Sequence, residues 1–245
     1  MVWGMRVGVE FAELFEDRQL SNDCKAAEKK LVKAASKVYK KFLASCPAPD
    51  APGSKQVTAL MTITGLIDAP KADKEFLSIN GAQGFSTFYG YYMLEAMAMA
   101  GNYQGALDVI REYWGAMIDL GATSFWEDFD INWIPNAAPI DELVPEGKKD
   151  IHGDCGAYCY VGFRHSLCHG WASGPTSWLS RHILGVEVIE PGCRQVRITP
   201  HLGDLQWVKG TFPTPYGELQ IYHEKQANGN VISEVKAPKG VSVIK

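Results

Sequence analysis

The 245-residue sequence contains no apolar stretch long enough to cross a bilayer. Its most hydrophobic runs, residues 59–67 and 93–100, fall far short of the ~20 residues that a spanning helix needs. It also lacks a strong charge of either sign. Lys and Arg number 24 against 28 Asp and Glu, a net charge of -4, and the basic residues are dispersed, so neither nucleic acid nor an anionic membrane surface is an expected partner. No basic segment at the start leads into a long apolar run and a small-residue cleavage site, so no secretory signal is expected and the cytoplasm is the default compartment. Cysteine is scarce: Cys24, Cys46, Cys155, Cys159, Cys168 and Cys193 are too few and too irregular to staple a chain of this length, and reduced thiols are expected. Glycine-rich phosphate loops of the G-x-G-x-x-G or Walker type are missing, as is the G-x-S-x-G elbow of serine hydrolases, and no cofactor is expected.

What is present is 46% hydrophobic and 11% aromatic, enough to build a substantial core in one large or two modest domains. From 21 to 46 apolar residues recur every three or four positions (Ala27, Leu31, Ala35, Val38, Phe42), which predicts a helix with Asp23 as its N-cap. The cluster CPAPDAPGS at 46–54 stops that helix, because proline lacks a donor and constrains the residue before it, and a second helix is expected over 55–65. Residues 85–100 (FSTFYGYYMLEAMAMA) are apolar nearly all round, Gly101 and Asn102 interrupt, and helical periodicity resumes over 103–120, the pattern of a tight αα-hairpin buried in a larger helical assembly. A long, poorly periodic segment covers 129–170, and one more short helix starts at Gly174-Pro175-Thr176. Near Gly185 the texture changes to period two: Val196 and Ile198 alternate with polar neighbours, as do Leu219 and Ile221, with turns at Pro191-Gly192, 214–217 and 228–230. The expected organisation is therefore a helical domain, 1–184, and an all-β module, 185–245, packed against it.

Two segments could carry chemistry. GATSFWEDFD at 121–130 sets three carboxylates among bulky aromatics, where lost hydration pushes a carboxyl upward toward acid/base usefulness; an ordinary helix end with solvated acids is the alternative. HGWASGP at 169–175 combines an imidazole, a flat indole and small residues, a mixture suited to a sugar's C–H face and hydroxyls, or else a structural loop around a core Trp. Cys155, Cys159, His165, Cys168 and His169 lie close in sequence, but C-x3-C followed by H-x2-C-H fits no common zinc spacing, and no metal is expected.

Taken together, NGAQGFSTFYGYYMLEAMAMAG (80–101), GATSFWEDFD (121–130), SLCHGWASGPTSWL (166–179) and EPGCRQVRITPHLGDLQWVKGTFPTPYG (190–217) resemble successive blocks of bacterial α-L-rhamnosidases, in the family's order, from about Val57 onward. The resemblance implies a mainly α fold with a C-terminal all-β module: part of an (α/α)6 toroid of the six-hairpin glycosidase type, then a small antiparallel β-sandwich. It implies Glu127 as general base of an inverting hydrolysis of terminal α-L-rhamnosides, with His169, Trp171, Trp126 and Asp128 as substrate-binding residues and a rhamnose-containing glycoside as partner. The family's acidic block lies far upstream of the base, and no D-x-x-x-R-x-E pattern precedes Phe76 here. About half the hairpins of a complete barrel can be counted, so the expectation is a truncated or split chain without its general acid, weak or inactive alone. It would pair with an upstream half-chain or self-associate through exposed faces of the 85–120 hairpin. The alternatives are a non-catalytic carbohydrate-binding or scaffold remnant, or a six-hairpin activity on another deoxy- or uronic-acid sugar.

Overall fold

The computed structural model describes residues 1–45, 48–49, 51, 53–155 and 165–244. Part of the 46–54 breaker cluster, including Cys46, lies outside the described residues, and so does Cys159. Two helices open the chain, α1 (Val2–Leu14) and α2 (Arg18–Ser45), packed on one another. The first helix has no counterpart in the sequence reading, and the second starts before Ser21. Asp17, not Asp23, caps it: its Oδ1 accepts from the Leu20 N–H at 2.9 Å, while Asp23 sits inside the helix and accepts from Gln19.

Helix α3 (Ser54–Ile63) follows, and then α4 (Ala69–Ala72), which is started by Asp68 accepting from Lys71 N–H and continues as a π-helical turn, Asp73–Leu77. The buried hairpin is α5 (Gly90–Met99) and α6 (Tyr103–Asp119), turned by Gly101 at φ 78° and capped by Asn102, whose Oδ1 accepts from Gly105 N–H. Residues 85–89 lie before α5, with a turn at 87–89. Met93, Leu94, Met97, Tyr113 and Met117 are buried from both helices in one core with Trp126, Phe129 and Trp178. The hairpin exposes Phe88, Met99 and Ile118, and further large apolar side chains are exposed on the opening helices, Phe11, Leu14 and Phe15 on or just after α1 and Leu20 and Val38 on α2.

The segment after α6 is less regular. It holds a 3-10 turn, Ile131–Trp133, and a short parallel pairing of β1 (Ala137–Ala138) with β2 (Lys149–Asp150). Helix α7 (Gly174–Trp178) runs into a second π-helical turn, Leu179–Ile183. The strands of the β module begin directly after Gly185. One sheet has the order β3 (Val186–Val188), β4 (Gln195–Ile198), β8 (Ser242–Ile244); the other is a meander of β5 (Trp207–Thr214), β6 (Gly217–Lys225) and β7 (Val231–Lys236). Val186, Val196 and Ile198 face Leu219 and Ile221 across the sandwich, and burial of each such side chain is worth about 1.5–3 kcal/mol. One pairing departs from the antiparallel expectation: β8 crosses from the second sheet to the first and so runs parallel to β4.

The β unit is fastened to the helices. Tyr103 stacks on His201 with centroids 3.7 Å apart, His201 N–H donates to the His182 carbonyl, and Arg111 pairs with Asp204 at 2.8 Å. Gly185, at φ 72°, lies so close to the Thr199–Pro200 backbone that a Cβ there would sit 2.3 Å from the Thr199 carbonyl carbon. We expect Gly185→Ala to destabilise the chain by about 2 kcal/mol or more, from strain and from this contact together, read as a lowered midpoint in urea denaturation. A second outcome concerns pH. Burial holds the imidazoles of His201 and His223 below the usual 6.5, His182 adding to the effect at His201 and the Leu184 carbonyl opposing it at His223. The unfolded chain therefore takes up protons first, so stability is full above ~pH 6.5 and falls as pH drops through it toward the lower folded values. Urea titrations across this range should show that fall, and His223→Gln should make it shallower.

Candidate functional site

Gly121, at φ 91°, ends α6 and releases the irregular segment that carries Glu127. A second segment, starting at His165, runs beside it: Glu127 N–H donates to the Ser166 carbonyl at 2.9 Å and His169 N–H to the Phe125 carbonyl at 2.7 Å. Ser166 N–H returns a bond to Glu127 Oε2 at 3.0 Å. The Glu127 carbonyl accepts twice, from Thr87 Oγ1 and from the Trp171 indole N–H, each at 2.6 Å. Three residues from two stretches distant in sequence, Thr87 on one and Ser166 and Trp171 on the other, are thus drawn to Glu127, whose side chain keeps only 12% of its surface exposed.

His169 caps the 3-10 turn Gly170–Ala172, its Nδ1 accepting from Trp171 N–H at 3.4 Å. That contact leaves the proton on Nε2, which lies 3.9 Å from Glu127 Oε1. The imidazole is tilted against the Trp171 indole at 4.3 Å, and Trp171, 42% exposed, is followed by Phe88 at 5.7 Å. From Phe88 the rings continue to Tyr89 at 5.1 Å and Tyr92 at 5.9 Å, then to Trp3 at 6.5 Å from Tyr92. A desolvated carboxylate, an imidazole and a partly exposed run of aromatic faces therefore share one edge of the molecule, the combination that binds a ring with one apolar face and several hydroxyls.

The other expected site residues are placed differently. Trp126 does not face a ligand: it is wholly buried in the core, edge-on to Phe129 at 5.9 Å. Asp128 is half-buried, its Oδ1 accepting from Phe129 N–H and its own N–H donating to His165 Nε2. His165, considered above with the cysteines, is buried, and its Nδ1 meets the Ile151 carbonyl at 3.1 Å, so both ring nitrogens brace the site segment. Cys168 Sγ accepts from Ser124, and among the described residues no three His, Cys, Asp or Glu side chains gather as a metal site would require. Sequence reasoning missed Thr87 and Phe88. The aromatic texture of 85–100 suggested complete burial, and only the helix start at Gly90 frees the preceding residues for the site.

The model of the bacterial alpha-L-rhamnosidase C-terminal domain matches residues 185–244. No curated protein matches the sequence. Among solved structures the chain is similar to a GH78 family rhamnosidase of Bacillus sp. GL1 (22% identity, TM-score 0.73), with 99% of this chain covering 25% of that one. It is also similar to the alpha-L-rhamnosidase of Aspergillus terreus (18%, TM-score 0.71; 99% of this chain, 27% of that one) and to that of Streptomyces avermitilis in complex with L-rhamnose (17%, TM-score 0.66; 99% and 22%). The chain spans about a quarter of the length of these structures. Their fold is an (α/α)6 toroid with β domains, and the helices described above form part of such a toroid. Residues 185–244 are thus similar to the bacterial alpha-L-rhamnosidase C-terminal domain, and the chain as a whole has the fold of the matching quarter of an alpha-L-rhamnosidase.

Proposed function

We propose that this chain supplies the base side of the active centre of an inverting glycoside hydrolase that removes terminal α-L-rhamnose, with Glu127 as the general base. The observation that carries the reading is the setting of the Glu127 carboxylate, nearly buried, with Oε2 fixed by Ser166 N–H and Oε1 turned toward His169 Nε2. The 3.9 Å between those atoms is too long for a direct bond, yet one water can touch both. In the step itself the water oxygen attacks C1 of the sugar as the glycosidic C–O bond breaks, and the water's proton passes to Glu127. Trp171 and Phe88 offer flat faces to the sugar's C–H groups, and the His169 Nε2–H a donor to a hydroxyl. The L-rhamnose in the Streptomyces avermitilis structure supports this sugar class.

An inverting centre also needs a carboxylic acid roughly 6.5–9.5 Å from the base to protonate the leaving oxygen. No D-x-x-x-R-x-E block precedes Phe76, so that acid comes from residues beyond this chain, from an upstream segment of the same or another polypeptide. The same gap favours a second reading, a carbohydrate-binding remnant that holds rhamnose without turnover.

A 2,4-dinitrophenyl α-L-rhamnoside separates the two, since its leaving group departs as a stable phenolate and needs little acid help. We expect slow hydrolysis by this chain, faster hydrolysis when a segment with the missing helices is added, and a loss of about 10²–10⁴-fold in Glu127→Gln in both settings. Equal rates for the unaltered chain and Glu127→Gln would remove Glu127 from the mechanism. Calorimetric binding of L-rhamnose with no turnover in either setting would leave the second reading.

A further inference from the structure

The meander β5–β6–β7 buries one face against the sandwich core and leaves the other to solvent, and that outer face is built unlike a plain solvated sheet. Alternation sends Val208, Leu219 and Ile221 inward and puts Trp207, Lys209 and Tyr222 outward. Trp207 is 60% exposed, so its indole gives little to either core, and it stands 6.5 Å from Tyr222 with the two rings inclined by only 29°. Across the sheet the pairing sets Lys209 opposite Tyr222 and Tyr222 opposite Glu234, while Thr211, Gln220 and Lys236 form the next row. These side chains line a shallow cleft of about 840 Å3, within the range of small-molecule sites.

We propose that this face binds a neutral polysaccharide chain, with Trp207 and Tyr222 as the platform. Three features select that class. Two near-parallel rings suit the C–H faces of successive pyranose units. Within each row the polar side chains stand at the strand spacing of about 4.8 Å, close to the repeat of an extended pyranose chain, and together they offer both donors and acceptors to its hydroxyls. Lys209 and Lys236 are outnumbered by Glu218, Glu224 and Glu234 on the same face, which gives no attraction for a polyanion. The chain would be held across the strands, and Glu127 would take no part.

The experiment is native affinity electrophoresis of the full chain in gels containing xylan, mixed-linkage β-glucan or galactomannan, with tryptophan emission followed in solution. We expect at least one polysaccharide to retard the unaltered chain and Glu127→Gln equally. Trp207→Thr and Tyr222→Thr should each weaken binding by about tenfold or more, and Trp207→Thr should abolish the emission change. Threonine suits an exposed strand position, and circular dichroism checks that each variant folds; Gln220→Ala, which removes only an amide, should weaken retardation as well. The proposal is overturned if none of the three polysaccharides retards the chain, if the Trp207 and Tyr222 variants are retarded as strongly as the unaltered chain, or if Glu127→Gln abolishes retardation.

Discussion

The geometry of the candidate centre depends on how the peptide groups of Glu127 are held. Its N–H, its carbonyl and one carboxylate oxygen are bonded to residues at 87, 166 and 171, and no single element supplies more than a part. Each such bond adds only about 1 kcal/mol net, but a buried donor or acceptor left without a partner costs more than it would have contributed. The cluster is therefore retained as a set. Because Trp171 is both a donor to this carbonyl and the neighbour of the His169 ring, the distance between carboxylate and imidazole follows from the same bonds.

Beneath this clasp lies the dense hairpin core, and two of its contacts reach the site segments directly. The Tyr113 hydroxyl donates to the Phe129 carbonyl, two residues past Glu127, and the Trp114 indole donates to the carbonyl of Ala172, next to Trp171. Burial of Tyr113 raises its hydroxyl well above the usual tyrosine value, helped by the charges of Asp128 and Asp130, so it stays a donor across the working pH range. A close-packed interior that contacts both strands of a site restrains their relative motion, which a carboxylate that must meet a water at a set angle requires.

Much of this was legible in the residues. The αα-hairpin showed because Gly101 and Asn102 carry turn and cap chemistry between two long apolar periods, and the sandwich because alternation at 196–198 and 219–221 is strict. Glu127 and His169 could be singled out since a carboxylate beside aromatics and an imidazole beside Gly and Trp are informative locally. Other features were not legible. Asp17 and Asp23 are equally good caps on paper, and only the packing of α1 decides where α2 begins. Trp126 could not be assigned to the core from composition, because an irregular segment has no periodicity to say which of its side chains are wet. The partnership of Thr87 with Glu127 spans 40 residues and leaves no local mark.

The parallel pairing of β8 with β4 has its own consequence. β4 is the middle strand of its sheet, and Ser242 fastens β8 to it by two bonds to the Arg194 carbonyl, so the sheet's outer edge is made from the very end of the described chain. A strand held along one side only is the first to peel away, and its departure would uncover a row of amide and carbonyl groups on β4. Such an uncovered edge is a template for the corresponding segment of another molecule, so the route to entanglement between copies of this protein would run through exchange of their β8 strands.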